Sequence, residues 1–264
     1  MSVITLTTDF GLADPFVGQM KGVILSLAPT ATIVDLTHEV PPGDVSGAAF
    51  RLESVLGVFP HGTIHLAVVD PGVGSARRPI AIETENYRWV GPDNGIFTAV
   101  PRREAPGVAV VLSNAAFHRS RISATFHGRD LFAPVAAHLS AGVRLDELGA
   151  PISDLVEIDL PAPQRKGDRM VLHVVCIDRF GNLLTDLSEE RLTDWLGDHP
   201  SDRIEIHVGA AKILGLRRTF AAVPVARPVA YIGGTGALEI AVRDGNAAAT
   251  LSVTRGDVVT LLHR

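Results

Sequence analysis

The chain has 264 residues, 46% hydrophobic and 20% charged, with a formal net charge of −5; that balance excludes a disordered chain, and with no clustered Lys/Arg run it argues against nucleic acid as a partner. A single cysteine, Cys176 in the apolar run MVLHVVCI, excludes a disulfide within the chain and fits a reducing compartment. The N-terminus MSVITLTTDF lacks the basic and apolar segments of a signal peptide, and no apolar run reaches membrane-spanning length, so a cytoplasmic location without membrane contact is expected.

In chain order, SVITLTTD reads as a strand ending on a carboxylate. PFVGQMKGVILSLAP follows as a helix with Phe16, Val17, Met20, Val23, Ile24 and Leu27 at helical spacing, stopped by Pro29. ATIVDLTH is a second strand. GDVSGAAFRLESVLGVFP is a second amphipathic helix with Asp44 as its N-cap. TIHLAVVD, RPIAIETE and YRWVGPDNGIF continue as strands, and GRDLFAPVAAHLSAG is a helix ending at Gly142. This alternation predicts an α/β domain over 1–159 with a largely parallel sheet flanked by helices. Residues 160–169, LPAPQRKGDR, read as a linker. Over 170–264 short β-like runs dominate, with one helix, SEERLTDWLG, whose Ser188 heads a capping-box pattern. A smaller, β-rich, barrel-like second domain is expected there.

Ligands of open α/β sheets sit beyond the carboxyl ends of the strands. Asp9 follows ITLTT and Asp70 follows LAVV, though a carboxylate at such a place also serves simply as a helix cap. After Asp70 the stretch PGVGSARRP allows three chemistries. A phosphate loop is poorly supported: the Lys-Ser/Thr ending and the third glycine are missing, and Pro79 prevents a helix from opening. A serine nucleophile is poorly supported as well, because Ser75 lies in V-G-S-A-R rather than G-x-S-x-G. The third is a carboxylate and a guanidinium, Asp70 and Arg77, folded together by the glycine loop. Such a pair is often structural. His127, in T-F-H-G-R-D at the start of a helix, adds an imidazole to it. The ten histidines are otherwise scattered, no HExxH motif occurs, and no metal is expected.

Eight motifs in order then make the chain resemble a known family: TTDFG, VGQMKG, DLTHEVPPGD, VVDPGVGSARR, GPDNGIF, TFHGRDLFAPVAAHL, IDRFGNLLTDL and GTGALEIAVRDGNAA. It is similar to the S-adenosyl-L-methionine (SAM) hydroxide adenosyltransferases, relatives of the fluorinases and chlorinases. The resemblance implies hydrolysis of SAM to adenosine and L-methionine, by water or hydroxide attacking C5′ of the ribose in line with the C5′–S bond. SAM is then the substrate, and no cofactor is implied. The family's catalytic aspartate, arginine and histidine fall on Asp70, Arg77 and His127. Its ribose-binding aspartate falls on Asp9, and acids near the methionine ammonium fall on Asp14 and Asp178. Aromatic groups around the nucleoside fall on Phe126 and Phe220, an adenine-contacting amide on Asn182, and a further substrate contact on Glu239 in the loosely matched C-terminal motif. The halogenases carry a tryptophan where Gly43 stands. The resemblance also implies a homotrimer with sites between subunits. A halide-using adenosyltransferase and a non-catalytic nucleoside- or SAM-binding protein remain the alternatives.

Overall fold

Alternating side chains on the first strand decide how the N-terminal sheet is covered. The structure, a computed structural model, describes residues 2–102 and 104–264. Its chain divides into two compact units, Met1–Asp159 and Leu160–Arg264.

In the first unit the elements run β1 (Val3–Thr8), α1 (Phe16–Leu27), β2 (Thr32–Thr37), α2 (Val45–Glu53), β3 (Thr63–Val68), β4 (Pro79–Thr84), β5 (Tyr87–Pro92), β6 (Pro106–Val111), α3 (Ala133–Ser140) and β7 (Pro151–Ile152). They form one sheet in the order β2-β1-β3-β5-β4-β6-β7. From β2 to β5 the pairing is parallel: α1 and α2 carry the chain back between β1, β2 and β3, and β4 carries it back between β3 and β5. From β5 outward it is antiparallel, because Glu85–Asn86 joins β4 to β5 as a two-residue hairpin. The parallel character therefore belongs to the half that carries Asp9 and Asp70. Ile4, Leu6, Ile64, Leu66 and Val68 face α1 and α3, whereas Ala67, Val69, Ile80, Ile82 and Trp89 pack with Ala48 and Leu52 of α2. Both faces are buried, as a sheet with parallel strands requires.

Two helices differ from the sequence reading. The second was expected to reach Phe59 but ends at Glu53, where the Ser54 hydroxyl turns back to donate to Arg51 O. Its N-cap is as expected: the Asp44 side chain accepts from Gly47 N–H. The GRDLFAPVAAHLSAG segment opens as a five-residue π turn, Gly128–Phe132, before α3. Pro134 has no N–H to give the Asp130 carbonyl, and Arg119 N–H supplies the missing donor at 3.0 Å. Strand β6 is one that the sequence reading leaves out.

The second unit comprises β8 (Gln164–Lys166), β9 (Arg169–Ile177), β10 (Leu183–Ser188), α4 (Glu189–Leu196), β11 (Ile204–Val208), β12 (Ala211–Leu214), β13 (Pro228–Ile232), β14 (Ala237–Val242), α5 (Ala247–Leu251) and β15 (Val258–His263). Its main sheet runs β12-β11-β15-β9-β10-β14-β13, antiparallel throughout, with β8 beside β9. Just past β12, Arg217 N–H donates to Ala230 O on β13, so the terminal strands nearly close a barrel around Leu172, Val174, Ile206, Leu238, Ile240 and Leu261. Within the segment read as a linker, Gln164–Lys166 forms a hairpin with β9 through Gly167–Asp168, where Gly167 has φ +61°. Ser188 caps α4 by accepting from Arg191 N–H, but the residue three positions on is arginine, so the reciprocal arm of a capping box is missing. No helix among the described residues is long and apolar enough to cross a membrane.

Candidate active site

The loop after β3 is built by short-range hydrogen bonds. Val73 N–H donates to Asp70 O, and the Ser75 hydroxyl donates to Gly72 O while accepting from Arg77 N–H. Ser75 is thereby engaged as a turn residue. Gly74 (φ +78°) lies so close to the 123–125 segment that a Cβ there would stand 2.5 Å from Ala124 O. This close approach brings Arg77 up to His127.

Arg77 bridges the other two members of the trio. Its Nε lies 3.0 Å from both carboxylate oxygens of Asp70, and its Nη2 donates to Asp70 Oδ2. The same Nη2 donates to His127 Nδ1 at 2.8 Å. The side chains of Asp70 and Arg77 are only 4% and 9% exposed, so water screens the pair weakly. The guanidinium also lies over the Phe132 ring, 5.3 Å from its centroid. Because a guanidinium can only donate, His127 Nδ1 must accept, and the neutral ring carries its proton on Nε2. Burial pulls the His127 pKa below its ordinary value, and Arg77 adds to this, while Asp70 and Asp130 oppose it.

A group the sequence reading missed supports this turn. Asp130 is fully buried; it accepts from Ser123 N–H and from the guanidinium groups of Arg119 and Arg129. Burial alone would raise its carboxyl, but these donors outweigh it and bring the pKa down to about 2. Arg129 also reaches Gln19 on α1 and lies 4.8 Å from the Phe126 ring centroid. Phe126 packs edge-on against Phe10 and Phe16 at 6.0 and 5.3 Å. The G-R-D run beside His127 is the visible signal of this network; the choice of Arg119 as second partner has none.

Asp9 follows β1, and its neighbour Thr8 pairs with Val68 of β3, so Asp9 and Asp70 extend from the carboxyl ends of adjacent parallel strands. Asp9 Oδ2 accepts from Gly43 N–H at 2.8 Å. Gly43 has φ +73°, a conformation in which a side chain is strained. Asp14 is exposed on the turn before α1, and the structure gives neither it nor Asp9 a bond to the trio.

The second unit gathers another cluster. In the β9–β10 turn, Asp178 accepts from Phe180 N–H, Asn182 N–H and Asn182 Nδ2, each at 2.8 Å. Glu239 on β14 is 8% exposed and hydrogen-bonds with Tyr231 and Thr235; a side chain at Gly233 would collide with its carboxyl. Burial raises the Glu239 pKa, the nearby Asp178 charge adds to the rise, and the bonds to Tyr231 and Thr235 oppose it. Phe220 meets Tyr231 edge-on at 6.4 Å and remains 53% exposed. Tyr231, Thr235 and the exposed Phe180 were not singled out from the sequence.

Among the described residues no three His, Cys, Asp or Glu side chains are grouped to hold a metal. His61 and His65 do stand four apart, but on an exposed turn and on buried β3, not on one helix face. His65 is stacked on Trp89 and bonded to Thr5.

Comparison with known proteins covers both units. Residues 4–149 match the SAM hydroxide adenosyltransferase N-terminal domain, and residues 172–260 match the C-terminal domain of the same name. The (R)-S-adenosyl-L-methionine hydrolase of Salinispora arenicola is 40% identical over 260 residues, spanning 96% of this chain and 95% of that protein. The protein of that name from Thermus thermophilus is 38% identical over 269 residues, spanning 99% and 100%. A fluorinase from an Actinoplanes species is 29% identical over 288 residues, spanning 98% and 97%. Among solved structures, an uncharacterized conserved protein from Thermotoga maritima superposes with a TM-score of 0.92 at 32% identity over the whole of both chains.

Proposed function

The chain belongs to the SAM hydroxide adenosyltransferase family, and on that premise we propose that it hydrolyses SAM to adenosine and L-methionine. The observation that carries the reading is the Arg77 bridge between Asp70 and His127, beyond the end of β3, in a chain that matches SAM hydrolases along nearly its whole length.

The chemistry asks little of the leaving group. A sulfonium departs with the C5′–S electron pair as a neutral thioether, so no general acid is needed. The oxygen of water forms the new bond to C5′ and loses a proton. His127 acts as an Nε2–H donor that orients the attacking oxygen, because its other nitrogen is committed to Arg77. Asp70 is the group left to accept the proton, and Arg77 stabilises the hydroxide character that develops beside it. Holding water and C5′ at near-attack distance supplies roughly 7–11 kcal/mol in well-oriented cases. Asp9 receives the ribose hydroxyls, two acceptor oxygens suiting two donors. Asp14, Asp178 and Glu239 serve the methionine ammonium side; Phe126, Phe220 and Asn182 serve the nucleoside.

The chain acts in the cytoplasm, without cofactor, nucleic acid or membrane partner, and as a homotrimer in which two copies complete each site. The support for the trimer is the family resemblance of both units, together with the Phe220 ring left 53% exposed. Incubation with SAM in oxygen-18 water, with chloride present, tests the reaction: adenosine labelled on its 5′-oxygen and unlabelled methionine are expected. A 5′-chloro nucleoside would make the chain a halide user, and intact SAM after hours would make it a binding protein.

A further inference from the structure

The β1–β2 ladder ends where Thr7 stands opposite Thr37. Beyond it, residues 8–11 and 38–43 are joined without strand pairing. Gly11 N–H donates to His38 O at 2.8 Å, Val40 N–H to Thr8 O at 3.4 Å, and Gly43 N–H to Asp9 Oδ2 at 2.8 Å. The fourth link is between side chains: Thr8 Oγ1 and His38 Nδ1 are 2.8 Å apart.

His38 is 3% exposed and Thr8 is 0% exposed. A buried imidazole is costly unless its polar atoms are used. Nε2 lies 3.1 Å from Asp35 Oδ1 in a bent contact that is electrostatic rather than a straight hydrogen bond, and this carboxylate favours the ring proton on Nε2. Nδ1 then accepts from the Thr8 hydroxyl, whose oxygen accepts in turn from Phe10 N–H at 3.3 Å. Lys21 Nζ holds the other Asp35 oxygen at 2.6 Å. The line runs from the surface pair Lys21–Asp35 through His38 to Thr8, and it ends on the two residues that flank Asp9.

We propose that His38 is a positioning residue for the turn that carries Asp9: its Nδ1 fixes the Thr8 hydroxyl, the hydroxyl fixes Phe10 N–H, and the carboxylate between them is held ready for a vicinal diol. The inference rests on the role given to Asp9 above. Nδ1 is the operative atom, and this separates the proposal from a packing role. In His38→Asn the carboxamide stands near Nδ1 and keeps the bond to Thr8. In His38→Gln it stands near Nε2 and loses that bond. Thr8→Val removes the hydroxyl with little change in volume.

Steady-state kinetics with SAM and calorimetric binding of adenosine test it together. His38→Gln and Thr8→Val should each raise KM for SAM and Kd for adenosine about five- to tenfold, with kcat changed less than about twofold. His38→Asn should stay within about twofold of the parent, and the double variant Thr8→Val/His38→Gln should be no worse than either single one. For 2′,3′-dideoxyadenosine, which lacks the diol, the variants and the parent should bind alike. Equal impairment in His38→Asn and His38→Gln would overturn the proposal, as would multiplying effects in the double variant or an undiminished penalty with the dideoxy ligand. Thr8→Val carries the test if His38→Gln does not fold. Absence of turnover in the parent protein would count against the hydrolase reading alone, because adenosine binding still reports on the diol contact.

Discussion

The two units hold their polar clusters in opposite ways. In the first, Arg77 bonds both Asp70 and His127, and the side chains of the acid and the guanidinium are less than one-tenth exposed. Behind them Asp130 is saturated by two arginines and a main-chain N–H. In the second, Asp178 and Asn182 are locked within one turn, yet the neighbouring rings Phe180 and Phe220 are 74% and 53% exposed. One cluster is tied together by its own hydrogen bonds; the other leaves two aromatic rings exposed. Groups that act on a developing charge need fixed geometry, since reorganisation during the reaction adds to the barrier. Groups that recognise a flat base tolerate more freedom, since stacking is broad in angle.

On this contrast, damage to the first cluster should appear in turnover and damage to the second in affinity. Arg77→Ala should have the largest effect, lowering kcat about 10²- to 10³-fold with little change in KM for SAM. An equal loss in both parameters would erase the distinction. At His127 the test is one of direction. His127→Gln keeps a donor near the Nε2 position and should retain about tenfold more turnover than His127→Glu, which offers only acceptors when ionised. Because burial and Arg77 depress the imidazole pKa, the ring stays neutral at pH 7 and takes up a proton only below its ordinary value of 6.5. Protonation would set an Nδ1–H against Arg77, so kcat should hold down to that point and fall only at more acid pH. A pH–rate profile from about pH 5 to about pH 8 reads this limb. The smallest effect belongs to the second unit: Phe220→Ala should raise KM about three- to tenfold and leave kcat nearly unchanged.

Legibility in the sequence follows the range of the signal. Asp44 and the Ser188 cap were readable because a cap needs only its next three residues. The alternation of β1, α1, β2, α2 and β3 was readable from periodicity, and eight ordered motifs carried the family across both units. The outer half of the sheet was less so: Pro106–Val111 begins with Pro and Gly, and its direction follows from a hairpin two strands earlier. The Gly167–Asp168 hairpin was hidden in a run whose Pro, Gly and charge resemble a linker. Asp70 and Arg77 could be paired across seven residues because a glycine loop closes between them. Arg119 with Asp130, and Phe10 with Phe16 and Phe126, could not, because those partnerships depend on where α1 and the π turn meet.

Gly74 makes the junction of two loops a main-chain affair: with Ala124 O only 2.5 Å from where a first side-chain carbon would stand, the strand-end loop and the helix-entry loop are keyed together by shape as well as by the Arg77–His127 bond. The keying residue itself cannot be exchanged without prising the two loops apart. Redesign of this scaffold therefore has, at its centre, one position that has to remain bare.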